Sequence, residues 1–213
     1  MNTLLSLYME RGNWFLDLTL QHLCLSGIAI AVSTVIGLAL AIWISECEGI
    51  SKYVLGFCNI IYTIPSISLL GFLLPLSGVG NSTAVIALTV YALLPMIRNT
   101  FTGIRQIPPE IIEAATGMGC TRTQLIFKIK LPLALPVILA GFRNMVVMTI
   151  ALAGIASYIG AGGLGLAIYR GITTNNQAMT VAASLIIALL AVFLDALIGA
   201  YERYIKRKRR LPQ

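Results

Sequence analysis

The run HLCLSGIAIAVSTVIGLALAIWI, residues 22–44, meets no acidic or basic side chain apart from His22 before Glu46 is reached. At 1.5 Å per residue it is long enough to cross about 30 Å of hydrocarbon as a helix. Four further apolar runs follow. They cover about residues 53–76 (with Pro65 inside), 79–97 (with Pro95 inside), 133–159 (with Arg143 inside) and 178–200 (with Asp195 inside). The third is only just long enough to span. Prolines are tolerated in such helices because neighbouring helices, hydroxyls and waters satisfy the freed backbone groups.

Composition agrees with these runs. Of 213 residues, 58% are hydrophobic and 11% are charged, against about 25% charged in soluble domains. The expectation is an all-α integral membrane protein with five transmembrane helices. No low-complexity linker or internal repeat divides it, so residues 1–213 read as a single transmembrane domain. Met1 to Asp17 has no basic start and no small-residue cleavage site, and does not read as a cleaved signal peptide.

Five spans put the termini on opposite sides, and the connections choose the direction. Residues 98–131 hold Arg98, Arg105, Arg122, Lys128 and Lys130, and six basic residues lie between Arg203 and Arg210. The 77–82 connection has no charge and the 160–177 connection has only Arg170. The positive-inside rule therefore places the N-terminus outside, and the 98–131 connection and the tail 203–213 in the cytoplasm. Glu46, Glu48 and Lys52 in the first short loop do not help this assignment, since acidic residues count little in it. The tail reads as an anchor beside the last span rather than as a nucleic-acid-binding segment.

The 98–131 connection is the one long polar stretch. Ile107-Pro108-Pro109 followed by Glu110 suits a helix start. A short helix is expected from about Pro109 to Thr116, stopped by Gly117 and Gly119. Thr121 and Gln124 form a capping-box pattern that opens a second short helix, about Arg122 to Ile129. Leu131-Pro132 is then expected to turn the chain into the fourth span. Such an amphipathic helix pair could lie on lipid headgroups or fit a groove on a partner protein. The tight glycine turn favours the partner, because lipid binding needs no particular turn.

The stretch has a specific spacing: Glu113-Ala114-Ala115, three residues, Gly119, nine residues, Ile129, one residue, Leu131-Pro132. In this it resembles the EAA loop of permease subunits of bacterial ATP-binding-cassette importers. Tyr62-Thr63-Ile64-Pro65-Ser66-Ile67, Tyr91 to Thr100, and Ile159 to Gly165 look like segments of permeases for the osmoprotectants glycine betaine, carnitine and choline. The likeness covers nearly the whole chain. It implies a fold like that of a methionine-importer permease, located in the bacterial cell membrane. It also implies that the loop, residues 108–131, is a coupling helix pair docking on a partner. Glu113, Ala114, Ala115, Gly119, Arg122, Ile129, Leu131 and Pro132 are its coupling residues.

The partners implied are two ATP-binding-cassette subunits, a second permease subunit (identical or related), and an extracellular or periplasmic substrate-binding protein, all around a lipid bilayer and with no nucleic acid. The sequence contains no G-x-x-x-x-G-K-[ST]. This chain is therefore expected to be no enzyme and to hold no cofactor, with ATP and Mg on the partner subunit. Gly160 to Gly165 reads as a flexible or closely packed loop at the outer end.

Charges inside spans are functional suspects. Arg143 lies roughly 16 Å along a helix from Pro132, and Asp195 roughly 12 Å from Arg203. At that similar depth the two either pair or share an aqueous cavity, or each snorkels separately. Tyr62, Ser66 and Tyr91 are candidates for lining a pathway, tyrosines being suited to a quaternary ammonium. Cys24, Cys47, Cys58 and Cys120 form no C-x-x-C pair and His22 has no companion at ligand spacing, so neither a disulfide nor a metal is expected. Two alternatives stay open: the same machinery importing methionine or another amino acid, and an ion-coupled secondary transporter. The second would want carboxylates near mid-membrane, and Asp195 is the one acidic residue within the five runs.

Overall fold

A computed structural model describes residues 2–209; of the basic tail 203–213, residues 210–213 lie outside the described residues. Among the described residues all regular structure is helical. Four helices among the described residues are long and apolar enough to cross a membrane, and up to five spans result when one bent pair is counted as a single span.

The first helix, α1, runs from Asn2 to Ser45 with a kink at Arg11 (φ −120°, ψ 21°). It begins twenty residues before the expected start of the first run, at residue 22. The charges at Glu10, Arg11 and Asp17 hide this extension from an apolar-run reading, because they are exposed. Phe15 and Leu18, on either side of Asp17, are buried against Leu164, Ala167, Met179 and Ala182.

The second run is not one straight span. It is α2 (Glu48–Thr63) and α3 (Ser66–Ser77), bent by 100° at the break. Pro65 supplies no N–H and drives Ile64 into extended backbone, ψ 127°. The Tyr91 hydroxyl donates to the Ile64 carbonyl at this break.

Helix α4 (Asn81–Arg105) is the centre of the bundle, packed on α1 and on α7. The loop after it carries α5 (Pro109–Gly117) and α6 (Arg122–Gln124). A π-helical stretch, Leu125–Lys130, joins α6 to α7, Leu131–Ala153. The fourth run, expected at 133–159, therefore starts earlier as helix and loses its α form at Gly154, continuing as a 3₁₀ turn, Ile155–Ile159.

The glycine loop that follows is pinned rather than loose. Gly162 N–H donates to Asn81 Oδ1 (2.9 Å), Gly163 N–H to Gln21 Oε1 (3.2 Å), and Gly80 N–H to the Ile159 carbonyl (2.9 Å). Helix α8 (Gly165–Thr173) and the long α9 (Gln177–Arg209) complete the chain. His22 is buried, its Nε2 3.0 Å from the Ile150 carbonyl near the end of α7. The four cysteines are free.

Candidate functional site

The loop between α4 and α7 is built by local rules. Pro109 opens α5 and Glu110 sits in its first turn. The helix closes with Gly119 N–H donating to the Thr116 carbonyl (2.9 Å) and Cys120 N–H to the Ala115 carbonyl (3.1 Å). This is a Schellman motif, whose reversal needs a left-handed residue. Gly119 has φ +83°, and a β-carbon built there meets nothing within 4 Å. Within this chain the backbone angle, not crowding, requires glycine.

The next helix starts immediately. Gln124 N–H donates to Thr121 Oγ1 (3.3 Å) and Thr121 N–H to Gln124 Oε1 (2.9 Å), a reciprocal capping box. From there the helix does not turn at Leu131-Pro132, as the sequence suggests. Arg122 to Ala153 is one continuous 32-residue helix. The π turns explain how Pro132 is absorbed. A proline ring clashes with the carbonyl four residues back, and a wider turn just before it relieves that contact.

The residues of the spacing pattern occupy distinct places. Glu113 and Ala114 are exposed, whereas Ala115 is buried. Met118, at the tip, is 79% exposed. Ile129, Leu131 and Pro132 are half-buried in the continuous helix. Glu113 also lines an open cavity of about 430 Å³ with Ser45, Arg105, Ile107, Ile112 and Lys130. Thus α5 stands over a space rather than being packed flat against the bundle.

Arg122 and Lys130 converge on Glu46, in the turn between α1 and α2. Lys130 Nζ lies 2.5 Å from Glu46 Oε1, and Arg122 Nε 3.1 Å from Oε2. Burial pushes the Glu46 carboxyl up, but Lys130 and then Arg122 outweigh this and hold it below the usual carboxylate range. Sequence reasoning passed over Glu46 because its partners lie 76 and 84 residues further along the chain. Positions eight apart are offset by only about 80° in a regular α-helix, at about 100° per residue, so Arg122 and Lys130 already lean to one side. A π turn takes one extra residue, which brings the two closer into line.

Arg143 and Asp195 are brought together. Arg143 Nε and Nη2 each lie 2.5 Å from an Asp195 oxygen. Glu202 Oε2 is 3.9 Å from Arg143 Nη1, and Lys206 Nζ is 2.8 Å from Glu202 Oε1. The guanidinium passes over Gly199, where a β-carbon would come within 3.1 Å of it. The three α9 positions Asp195, Gly199 and Glu202 share one helical face and form a notch for the arginine.

The three suspected pathway residues do not lie equally open. Tyr62 is 42% exposed, Ser66 is half-buried and Tyr91 is buried. Tyr62 meets Tyr91 edge to face at 6.0 Å, and its hydroxyl reaches Met148 Sδ at 3.0 Å. Tyr91 thus supports both the Tyr62 ring and the Ile64 carbonyl at the α2–α3 break. No group of three or more metal-ligating side chains occurs among the described residues.

Comparison with known proteins gives a consistent result. The pattern of the family described as binding-protein-dependent transport system inner membrane component matches residues 33–207. The chain is 36% identical to Carnitine transport permease protein OpuCD of Listeria monocytogenes over 211 residues, 97% of this chain and 95% of that one. It is 40% identical to Osmoprotectant import permease protein OsmW of Salmonella typhimurium over 195 residues, 89% of this chain and 91% of that one. Among solved structures it is similar to an inward-facing form of the MetNI methionine ABC transporter. The TM-score is 0.83 at 22% identity, covering 90% of this chain and 95% of that one. That likeness speaks to the fold.

Proposed function

The chain belongs to the family of binding-protein-dependent transport system inner membrane components, and on that premise we propose that it is the permease subunit of an ATP-driven importer of quaternary-amine osmoprotectants such as glycine betaine, carnitine and choline. It is a membrane protein of the bacterial inner membrane. The observation that carries the cargo is the 36% and 40% identity, over nearly the whole chain, to permeases named for carnitine and for osmoprotectants.

In this reading the N-terminus is outside and α5, α6 and the basic C-terminal end face the cytoplasm, as their positive charge favours. ATP and Mg are bound by two separate ATP-binding-cassette subunits. These grip the exposed tip around Met118 and Gly119, and their closure draws the loops of two permease subunits together. The helices rock as rigid bodies, and a path between the subunits opens toward a loaded binding protein. The support for the loop's role is its construction. A capped, reversed tip is mounted on a helix that runs unbroken from Arg122 to Ala153, a stiff way to carry a displacement into the bilayer.

The test is reconstitution. The chain is co-expressed with the ATP-binding subunit and binding protein of its own genetic neighbourhood, purified, and placed in vesicles with ATP inside. Co-purification of the ATPase, with uptake of radiolabelled glycine betaine, carnitine or choline but not methionine, is the expected result. Uptake of methionine and none of the three would overturn the cargo assignment. A permease that never associates with an ATPase would overturn the mechanism.

A further inference from the structure

We propose that Glu46 is a positioning residue for coupled transport: it clamps the coupling loop to the α1–α2 turn, so that a push on the loop moves the first two helices instead of being absorbed. This rests on the reading of residues 108–131 as the coupling loop.

Three observations lead to it. First, α5 overhangs the cavity lined by Glu113, Ile112 and Lys130, and its main tertiary contact is with the π stretch. Displacement of the tip therefore travels through α6 and the π turns, not through a broad contact of α5 with the bundle. Second, both partners of Glu46 sit on that route, one at each end: Arg122 in the capped first turn and Lys130 at the end of the π stretch. Third, Glu46 is itself held stiffly. Its turn is closed by Glu46 N–H donating to the Trp43 carbonyl (3.2 Å) and Cys47 N–H to the Ile44 carbonyl (3.3 Å). α1 ends at Ser45 on one side and α2 begins at Glu48 on the other.

The clamp is sheltered where it counts. The side chains of Glu46 and Lys130 are 15% and 12% exposed, so that pair is screened less by salt than a surface pair. Arg122, at 70% exposed, is the outer and weaker tie. A single carboxylate accepting from two cations on one helix fixes the rotation of that helix about its axis, which one bridge alone would not.

The experiment uses the whole complex with Cys24, Cys47, Cys58 and Cys120 replaced. Spin labels go at Glu110 in the first turn of α5, away from the gripped tip, and at Ile50 at the start of α2, both exposed. Pulsed electron resonance then reads the distance between them without nucleotide and with ATP trapped. With Glu46 in place the distance is expected to be the same and narrow in both states. In Glu46→Gln it should broaden and shift when ATP is trapped. This readout needs no cargo, so it stands apart from the identity of the substrate.

In unlabelled complex, ATP hydrolysed per substrate moved should rise several-fold in Glu46→Gln. The charge-swapped Glu46→Lys/Lys130→Glu pair should bring it back toward the wild-type ratio. Arg122→Gln, which removes only the outer tie at an exposed position, should raise the ratio less, and it provides the test if Glu46→Gln complex is not recovered. A distance distribution unchanged by Glu46→Gln, or a swap no better than either single change, would overturn the proposal. So would an unchanged ATP-to-substrate ratio in Arg122→Gln when Glu46→Gln is not recovered.

Discussion

Arg143 on α7 grips Asp195 on α9 through two parallel contacts of 2.5 Å, Nε to Oδ1 and Nη2 to Oδ2. The geometry is the fork-to-fork arrangement that makes arginine–carboxylate pairs directional as well as attractive. Removing one partner leaves the other charged within a span, where it is costly. Asp195→Asn and Arg143→Gln are each expected to lower the melting temperature of the complex and its uptake rate. The exchanged pair Arg143→Asp/Asp195→Arg should recover part of both. A swap with a lower melting temperature than either single variant would argue that the two charges act separately. Gly199→Leu should mimic the loss of the pair, because its side chain would displace the guanidinium from its notch.

Acid should loosen the Glu46 clamp. The folded carboxyl lies below its ordinary range, pulled down by Lys130 and Arg122 against its own desolvation. A carboxyl lowered by folding contributes stability that is present above its unfolded value and lost as pH falls through the folded one. The melting temperature of the wild-type complex should therefore fall more steeply on acidification than that of Glu46→Gln. The two curves should converge once the carboxyl is protonated. Parallel curves down to the acid limit would show that the clamp is not the acid-sensitive element.

Gly119 separates a folding cost from a docking cost. Its left-handed φ of +83° makes any other residue unfavourable by roughly 1–2 kcal/mol. No atom of this chain stands near the missing β-carbon. Gly119→Ala and Gly119→Trp should therefore destabilise the isolated permease by similar amounts. Against the ATPase subunit the tryptophan variant should bind far more weakly than the alanine one. Equal binding would mean that the partner does not approach this turn. Thr121→Ala removes the cap of the next helix and should cost about 0.5–2 kcal/mol, measured as chemical or thermal stability.

Tyr91 and Tyr62 should divide into support and contact. Tyr91→Phe leaves the Ile64 carbonyl unpaired at the α2–α3 break, a loss of about 1–3 kcal/mol, visible as a lower melting temperature. Tyr62→Ala removes an exposed ring that a quaternary ammonium can pass over. It should raise the KM for glycine betaine uptake with little effect on ATPase association. An unchanged KM would place the pathway elsewhere.

Composition and short-range spacing made much of this legible beforehand. The bilayer demands apolar runs of helical length, so the membrane class followed from counting. Helix caps and reversals depend on residues three to five apart, so the Pro109 start, the Gly119 reversal and the Thr121–Gln124 box were readable one residue at a time. Arg143 and Asp195 drew notice simply as charges in apolar company.

What the tertiary structure decided lies at longer range. Whether Glu10 and Asp17 interrupt a helix depends on which side of α1 faces Leu164 and Ala182, a contact across more than 140 residues of chain. At the 100° bend at Pro65 the Ile64 carbonyl is taken by Tyr91, 27 residues further along the chain. The Glu46 clamp joins residues 76 and 84 positions apart in the chain, and no local spacing rule signals such a meeting. Sequence alone determined which segments are apolar enough to enter a bilayer and how the loop tip is folded, because solvation and capping act locally. Only the packed structure decided which charges meet, because that is set by helix rotation and by neighbours distant in the chain.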